Sequence, residues 1–443
     1  MSGAIEPQAA QNPWRGTLIG IGVVAAAIAI AFVTYSPYMA YSLYAFALLV
    51  LLARVSTLLW LTGLEADRSV SAQTMQQGDT IEVSLTVKNR RGWPIPWLFI
   101  EDMHPGFCHR SGDNTRLAVL MPGRGVTLRY RLTVPKRGYH RIGPAVLESG
   151  DLFGLQRRFR TGKSQDYVSV LPTITYIETF SFSSRRPQGP VRVSHRIYED
   201  PSRLAGLREY QRGDPLNRIH WKTAARTGEL WTKTYDPSAV TGGTLILDMH
   251  EESYPPQDRE ARMELAITTT ASISYLLQAS GEQVGMITNA IDAAEVAQYD
   301  VESRQTVSRD ELAGAVVGEA LSTRLNPLRV PTMRSTTQAR AIAENLARVL
   351  PGQGLDCTTL LLEEFRGLPR DAALLPVVPQ VTEQFALVLA EMRIAGFAVS
   401  VFCVGSPTAF EEAAIRLAPY KIHVFHIREE RDLHELAPQK IGH

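Results

Sequence analysis

Between Leu207 and Leu230 the chain gathers side chains able to do acid–base and anion chemistry: Arg208, Glu209, Tyr210, Asp214, Arg218, His220 and Arg226, with Gly213 and Trp221 among them. A hydrolase-like centre would use Asp214 or Glu209 as base or orienter, His220 as proton shuttle and Arg226 as anion clamp. No nucleophile or metal-ligand set accompanies them at a known spacing. The same residues also have a structural reading. Arg208, Glu209, Asp214, Arg218 and Arg226 suit bidentate pairs that lock one module to the next, with His220 hydrogen-bonded beside a packed Trp221.

Such side chains need a local frame. Asp214 before Pro215 reads as a helix start, the carboxylate capping and the proline in the first helical position. Leu216, Ile219 and the His220/Thr223 neighbourhood share one face, Gly228 ends the helix, and Glu229 to Tyr235 resumes as a strand. The stretch from Ser181 to Pro190 reads as a linker, so residues 181–235 form a linker plus motif. From Arg185 to Lys233 there are eleven Lys/Arg against five Asp/Glu. That local excess suits an anionic surface or an acidic partner, or a solvated face with internal ion pairs.

The whole chain bounds these readings. Its 443 residues, 45% hydrophobic and 21% charged, predict two or three folded units with sizeable cores. A formal charge of +1 argues against a nucleic-acid-coating surface, so no nucleic-acid partner is expected. Cys108, Cys357 and Cys403 lie far apart, which argues against a disulfide-stapled domain and a cysteine-based zinc site.

Ahead of the motif, residues 1–16 form a tail and residues 17–62 contain two stretches of membrane-span character. Leu18–Tyr35 and Tyr38–Ala53 carry no charge, and the second continues past Arg54 to about Leu61. Only Ser36-Pro37 separates them, which predicts a tight transmembrane hairpin with Trp14, Tyr35, Tyr38 and Trp60 at the headgroups. Arg15, Arg54 and Arg68 flank the spans, so both ends are expected in the cytoplasm, with the chain in the inner membrane. A cleaved signal peptide is the rival reading.

Residues 65–180 read as strands. Ile81, Val83, Leu85 and Val87 alternate with Glu82, Ser84, Thr86 and Lys88, and Val126 to Val134 repeats the pattern. Turn signals at Gly78-Asp79, Arg91-Gly92, Pro122-Gly123 and Lys136-Arg137-Gly138 complete an all-β, immunoglobulin-like sandwich.

Residues 240–443 read as alternating strand and helix. Gly243–Met249, Val284–Thr288, Ala372–Val378, Phe397–Val404 and Ile422–Ile427 are expected strands. Arg259–Ser280, Thr337–Leu350 and Glu383–Ile394 are expected helices, and Glu363-Glu364 sit in a Leu-rich helical segment. Such alternation predicts a doubly wound, mostly parallel α/β sheet whose ligands bind at the carboxyl ends of the strands, here Asp248 to Glu252. The fold class expected overall is multidomain, with the membrane hairpin first, then the sandwich, then the α/β sheet.

Arg208-Glu209-Tyr210, Gly213-Asp214, Ile219-His220-Trp221, Ala225-Arg226 and Leu230 resemble the signature of the bacterial domain-of-unknown-function 58 family. The likeness extends to the two N-terminal apolar stretches, to Gly138, Gly143-Pro144 and Asp151-Leu-Phe-Gly154, and to the α/β region. This resemblance implies a von Willebrand factor A-like C-terminal module and a partner of the MoxR-type AAA+ ATPase class, without fixing a reaction. A-like modules carry Asp-x-Ser-x-Ser and bind Mg²⁺ there. This chain has Asp248-Met-His250-Glu-Glu252, keeping the aspartate and replacing both serines. Asp248, His250 and Glu252 are then a degenerate metal set whose imidazole shifts preference toward transition metals, or Asp248 caps its own loop. The function expected is a membrane-anchored, non-enzymatic interaction or assembly factor working with such an ATPase. The alternatives are the hydrolase of Asp214, His220 and Arg226, or an anionic-surface binder acting through residues 185–233.

Overall fold

The computed structural model describes residues 37–61, 63–151, 157–162, 165–180, 199–211, 219–237, 242–297 and 327–436. The chain divides into two compact units. One comprises residues up to Gln73 with Thr80–Pro135 and Arg141–Val168, the other Thr74–Asp79, Lys136–His140 and Ser169 onward.

The first unit is built from two antiparallel four-stranded sheets. One runs in the order Leu64–Val70, Thr80–Asn89, Gly125–Thr133, His109–Ser111. The other runs Arg157–Thr161, Ala145–Gly150, Ile95–Asp102, Thr115–Leu120. Period-two alternation sends Ile81, Val83, Leu85, Val87, Leu128, Tyr130 and Leu132 inward, where all are buried. Leu85, Val87 and Leu128 from one sheet meet Leu98, Ile100, Leu120 and Leu147 from the other in one core.

A buried polar knot crosses this core. Arg68 pairs with Asp102, both side chains fully shielded, and its Nη1 reaches Asp166 Oδ2 at 3.2 Å and donates to Ile142 O at 3.1 Å. The Tyr130 hydroxyl donates to Asp102 Oδ2 at 2.8 Å. Burial alone would lower the Arg68 pKa, but the hydrogen bonds and charges of Asp102 and Asp166 raise it above its ordinary value.

The expected membrane hairpin is corrected here. Residues 1–36, with the tail and the first apolar stretch, lie outside the described residues. The second stretch is a helix over Pro37–Leu61, yet among the described residues no helix is long and apolar enough to cross a membrane. The helix ends at Leu61, where the second stretch was expected to end, but its last residues meet protein. Leu61 is buried in the core of the β-structure with Trp60 packed against it, and Arg160 Nη1 donates to Leu61 O at 3.0 Å. Trp60 therefore meets protein where a headgroup was expected. Arg68, counted as a flanking charge, instead serves the buried knot. The fold class expected from the sequence is overturned at its first element.

The second unit holds a six-stranded sheet. In chain order its elements are β1 (Gly242–Leu247), α1 (Arg259–Ala279), β2 (Gln283–Thr288), β3 (Leu328–Met333), α2 (Gln338–Arg348), α3 (Cys357–Glu364), β4 (Ala373–Val378), α4 (Glu383–Ile394), β5 (Ser400–Cys403), α5 (Pro407–Leu417) and β6 (His423–His426). The strand order is β3-β2-β1-β4-β5-β6, all parallel except β3, which pairs antiparallel with β2 at one edge. Leu245 and Leu247 face a core shared with Met263, Ile267, Ile342 and Leu346 of α1 and α2. Ile246 faces the opposite core with Leu360, Phe385, Leu389 and Phe410 of α3, α4 and α5. The sheet is thus covered by helices on both faces, as buried parallel strands require.

Arg137 ties a turn to these helices. Its Nε donates to Glu264 Oε2 at 2.9 Å, and its Nη1 to Leu346 O at 2.7 Å and Val349 O at 3.2 Å. A guanidinium on the last carbonyls of α2 also complements that helix's negative end.

Candidate functional site

The described parts of the dense motif are a strand, a short helix and a return strand. Glu199–Glu209 pairs antiparallel with Trp231–Pro237, setting Arg208 opposite Thr232 and Glu209 opposite Trp231. Ile219 bridges the other side of Thr232, and both are buried. Tyr210 N donates to Leu230 O at 2.9 Å and His220 N to Trp231 O at 2.8 Å. The segment around Thr232 is therefore gripped from two sides, which fixes where the following helix starts.

That helix spans Trp221–Thr227, later than the start expected at Pro215. Its cap is His220, whose Nδ1 accepts from Thr223 N at 3.2 Å and from Thr223 Oγ1 at 2.8 Å. Gly228 ends it at φ 78°, a left-handed conformation that costs glycine no Cβ clash, and its N–H returns to Ala224 O. Trp231 Nε1 donates to Thr227 Oγ1 at 3.1 Å and closes the helix onto the return strand. Gly213, Asp214, Pro215, Leu216 and Arg218 lie outside the described residues, so the cap expected of Asp214 does too.

None of the helix's residues is buried. Trp221 is 65% exposed and Leu230 44%, while Lys222, Ala225 and Arg226 also face solvent. Trp221 is thus not the packed neighbour of His220 that was expected. Arg208 Nη1 donates to Glu209 O at 3.2 Å, a local bond within the strand. His220 caps the start of the helix and Arg226 sits in its last turn, about 9 Å apart by helical rise.

His220→Ala should therefore act as a lost cap. It should cost about 0.5–2 kcal/mol of local stability and speed exchange of the Thr223 amide. His220→Asn, which keeps a capping acceptor, should restore most of the protection. Hydrogen exchange of the full chain reads both.

At the carboxyl end of β1, Asp248 is buried and its carboxylate is spent on its own loop. Oδ1 accepts from His250 N at 3.0 Å and from Asn289 Nδ2 at 2.9 Å. Asn289 also donates to Leu355 O at 2.9 Å and accepts from Met249 N at 2.7 Å. The Tyr254 hydroxyl donates to Asp248 O at 2.7 Å. Burial raises the carboxyl's pKa, with the hydrogen bonds from Asn289, His250 and Ser253 pulling the other way. Burial likewise pushes the nearby Cys357 thiol well up, which makes it a poor nucleophile.

His250 and Glu252 do not join Asp248 around a common point. His250 bridges in parallel to Gly352 and caps the short turn Glu251–Ser253, and Glu252 is exposed. Among the described residues no three His, Cys, Asp or Glu side chains gather to hold a metal ion. Asp248 Oδ1 is shared between a side-chain amide and a backbone N–H. Asn289, which sequence reading passed over, is the key partner. Its signal was its place just past the end of β2, the neighbour of β1, because adjacent parallel strands bring their carboxyl ends together.

Comparison with known proteins places this geometry. The family described as "Protein of unknown function DUF58" matches residues 206–309, which hold the motif and β1, α1 and β2 of the sheet. The chain is similar to "Uncharacterized protein YeaD" of Bacillus subtilis, 28% identical over 250 residues, or 55% of this chain and 60% of that one. The aligned part thus spans 60% of that relative's length, less than two thirds of it. Among solved structures, the CARDB domain of the PF1109 protein from Pyrococcus furiosus is 18% identical, covering 24% of this chain and 91% of that one at a TM-score of 0.19. Trypsin-activated alpha-2-macroglobulin from Escherichia coli is 22% identical, covering 26% of this chain and 8% of that one at a TM-score of 0.22. Likenesses so slight carry no functional argument. What the comparisons give is a match of residues 206–309 to the DUF58 family and a similarity to YeaD.

Proposed function

We propose that the chain is a non-enzymatic interaction and assembly factor working with a MoxR-type AAA+ ATPase, its α/β sheet serving as a von Willebrand A-like module. The observation that carries this reading is how the motif divides its side chains. His220 is spent on capping and Ile219 and Thr232 on packing, while Trp221, Lys222, Arg226 and Leu230 are turned to solvent. An exposed tryptophan with cations at its flank is the composition of a binding hot spot. The A-like assignment rests on the parallel sheet with helices on both faces and on Asp248 at the carboxyl end of its central strand β1. The choice of ATPase rests on the family resemblance.

Affinity capture of the tagged full-length chain at low salt, followed by mass spectrometry, tests the pairing. A MoxR-type ATPase is expected with the native chain and should be depleted with Trp221→Ala/Arg226→Glu. Capture with no AAA+ ATPase in it contradicts the proposal.

A further inference from the structure

The strand Thr115–Leu120 closes one edge of its sheet, pairing with Ile95–Asp102 on one side and with no strand on the other among the described residues. Open edges of natural sheets are usually blunted by lysine, proline or a bulge, because their free N–H and C=O groups recruit another strand. Thr-Arg-Leu-Ala-Val-Leu contains neither proline nor lysine. Its single charge, Arg116, is turned back into the same unit, with Nη1 donating to Thr127 O at 3.2 Å.

Side-chain direction is fixed by the register with the inner strand. Leu98 and Ile100 point into the core and stand opposite Ala118 and Arg116, so Leu117 and Val119 point outward. Leu117 is 66% exposed, Val119 62% and the adjoining Met121 55%. This apolar row stands beside the open main-chain edge, so an occupant adding a strand would cover both.

We infer that this edge pairs antiparallel with the same strand of a second copy, about a twofold axis at Ala118. Residues opposite one another in an antiparallel pair share a face, so the register must set even-spaced partners together. Centring on Ala118 places Leu117 opposite Val119 of the second copy, Val119 opposite its Leu117, and Thr115 opposite its Met121. Leu117 and Val119 of each copy then stand beside Val119 and Leu117 of the other, the reciprocal arrangement an isologous contact demands. No like charges meet, because the Arg116 guanidinium is held by Thr127 and the residue stands opposite Leu120 of the other copy. The two four-stranded sheets become one continuous sheet across the axis. A single strand pair with a short apolar row buries less than the roughly 1,600 Å² of a standard interface, so the dimer is a weak, concentration-dependent one.

Sedimentation equilibrium of the full-length chain over a concentration series tests this. Native protein is expected to show reversible monomer–dimer behaviour. L117K/V119K sets lysine against lysine twice across the axis and should weaken association at least tenfold. L117K/V119E sets lysine against glutamate twice and should recover dimers that dissociate with salt. Both variants load the same exposed face, so a folding defect would affect them alike and would not separate them. A native chain that stays monomeric overturns the proposal. So does L117K/V119K associating as the native chain does, or L117K/V119E associating no better than L117K/V119K.

Discussion

Arg68→Ala is expected to destabilise the first unit by about 3–5 kcal/mol, the cost of leaving a buried charge without its partner. Asp102 would remain fully shielded, keeping only the Tyr130 hydroxyl as a side-chain donor of those the native knot provides. Asp102→Ala should be comparably severe, because it strands Arg68 between Asp166 and the Ile142 carbonyl. Removing both charges with Arg68→Met/Asp102→Leu should recover part of the loss, since no buried ion is orphaned. Recovery stays incomplete because Tyr130 OH loses its acceptor. Urea unfolding followed by the fluorescence of Trp97, which is partly buried in this unit, measures all three. A single-variant loss below about 1 kcal/mol would show that water reaches the knot and that the pair behaves as a surface bridge.

Asp248 is expected to tune the second unit's stability with pH. Burial raises its folded pKa above the unfolded value of 3.8, so the folded state keeps a proton that the unfolded chain gives up. The stabilisation from that proton is full below the unfolded pKa and is lost as pH climbs through the raised folded value. Asp248→Asn should flatten this fall, because an amide keeps an oxygen for His250 N and Asn289 Nδ2 without ionising. Asp248→Ala removes the acceptor altogether and should cost about 1–3 kcal/mol at every pH. Thermal melts of native and variant chains from about pH 4 to about pH 8 separate the cases. A native melting curve that rises with pH over the same window as the Asn variant's would contradict the burial argument.

Much of the second unit was legible because buried parallel strands and amphipathic helices leave strong patterns. The helix Glu383–Ile394 has the bounds expected of it, and the structure adds the Thr382 side chain capping Phe385 N. Strand β1 follows the apolar run after Gly242, and Gly281 follows the end of α1. The strand β3 was missed because Leu-Arg-Val-Pro-Thr-Met has a proline and only one deeply buried side chain, as suits an antiparallel edge. Helix α5 was missed although Ser406 caps it and Pro407 opens it, because its apolar face is narrow. In the first unit the alternation of Thr80–Asn89 translates directly into burial, whereas Arg68 gave no local sign of its partners, which lie 34 and 98 residues away.

The candidate site was legible in its residues and not in its geometry. Asp214-Pro215 is a stronger helix-start signal by type than His220, yet the described helix starts at Trp221. Pairing of Ile219 with Thr232 and of His220 N with Trp231 O keeps Ile219 and His220 out of the helix, a tertiary constraint that local propensity does not contain. Asp248 was found from its place in the sheet, but Asn289, 41 residues on, decides what the carboxylate does.

The exposed face around Trp221 is expected to bind a protein. Titrating a purified MoxR-type AAA+ ATPase onto immobilised full-length chain measures that directly. Saturable binding is predicted, weakened at least tenfold by Trp221→Ala/Arg226→Glu and left intact by Leu117→Lys, a residue of the other unit. No binding by the native chain, or equal binding by the Trp221→Ala/Arg226→Glu variant, would contradict the account.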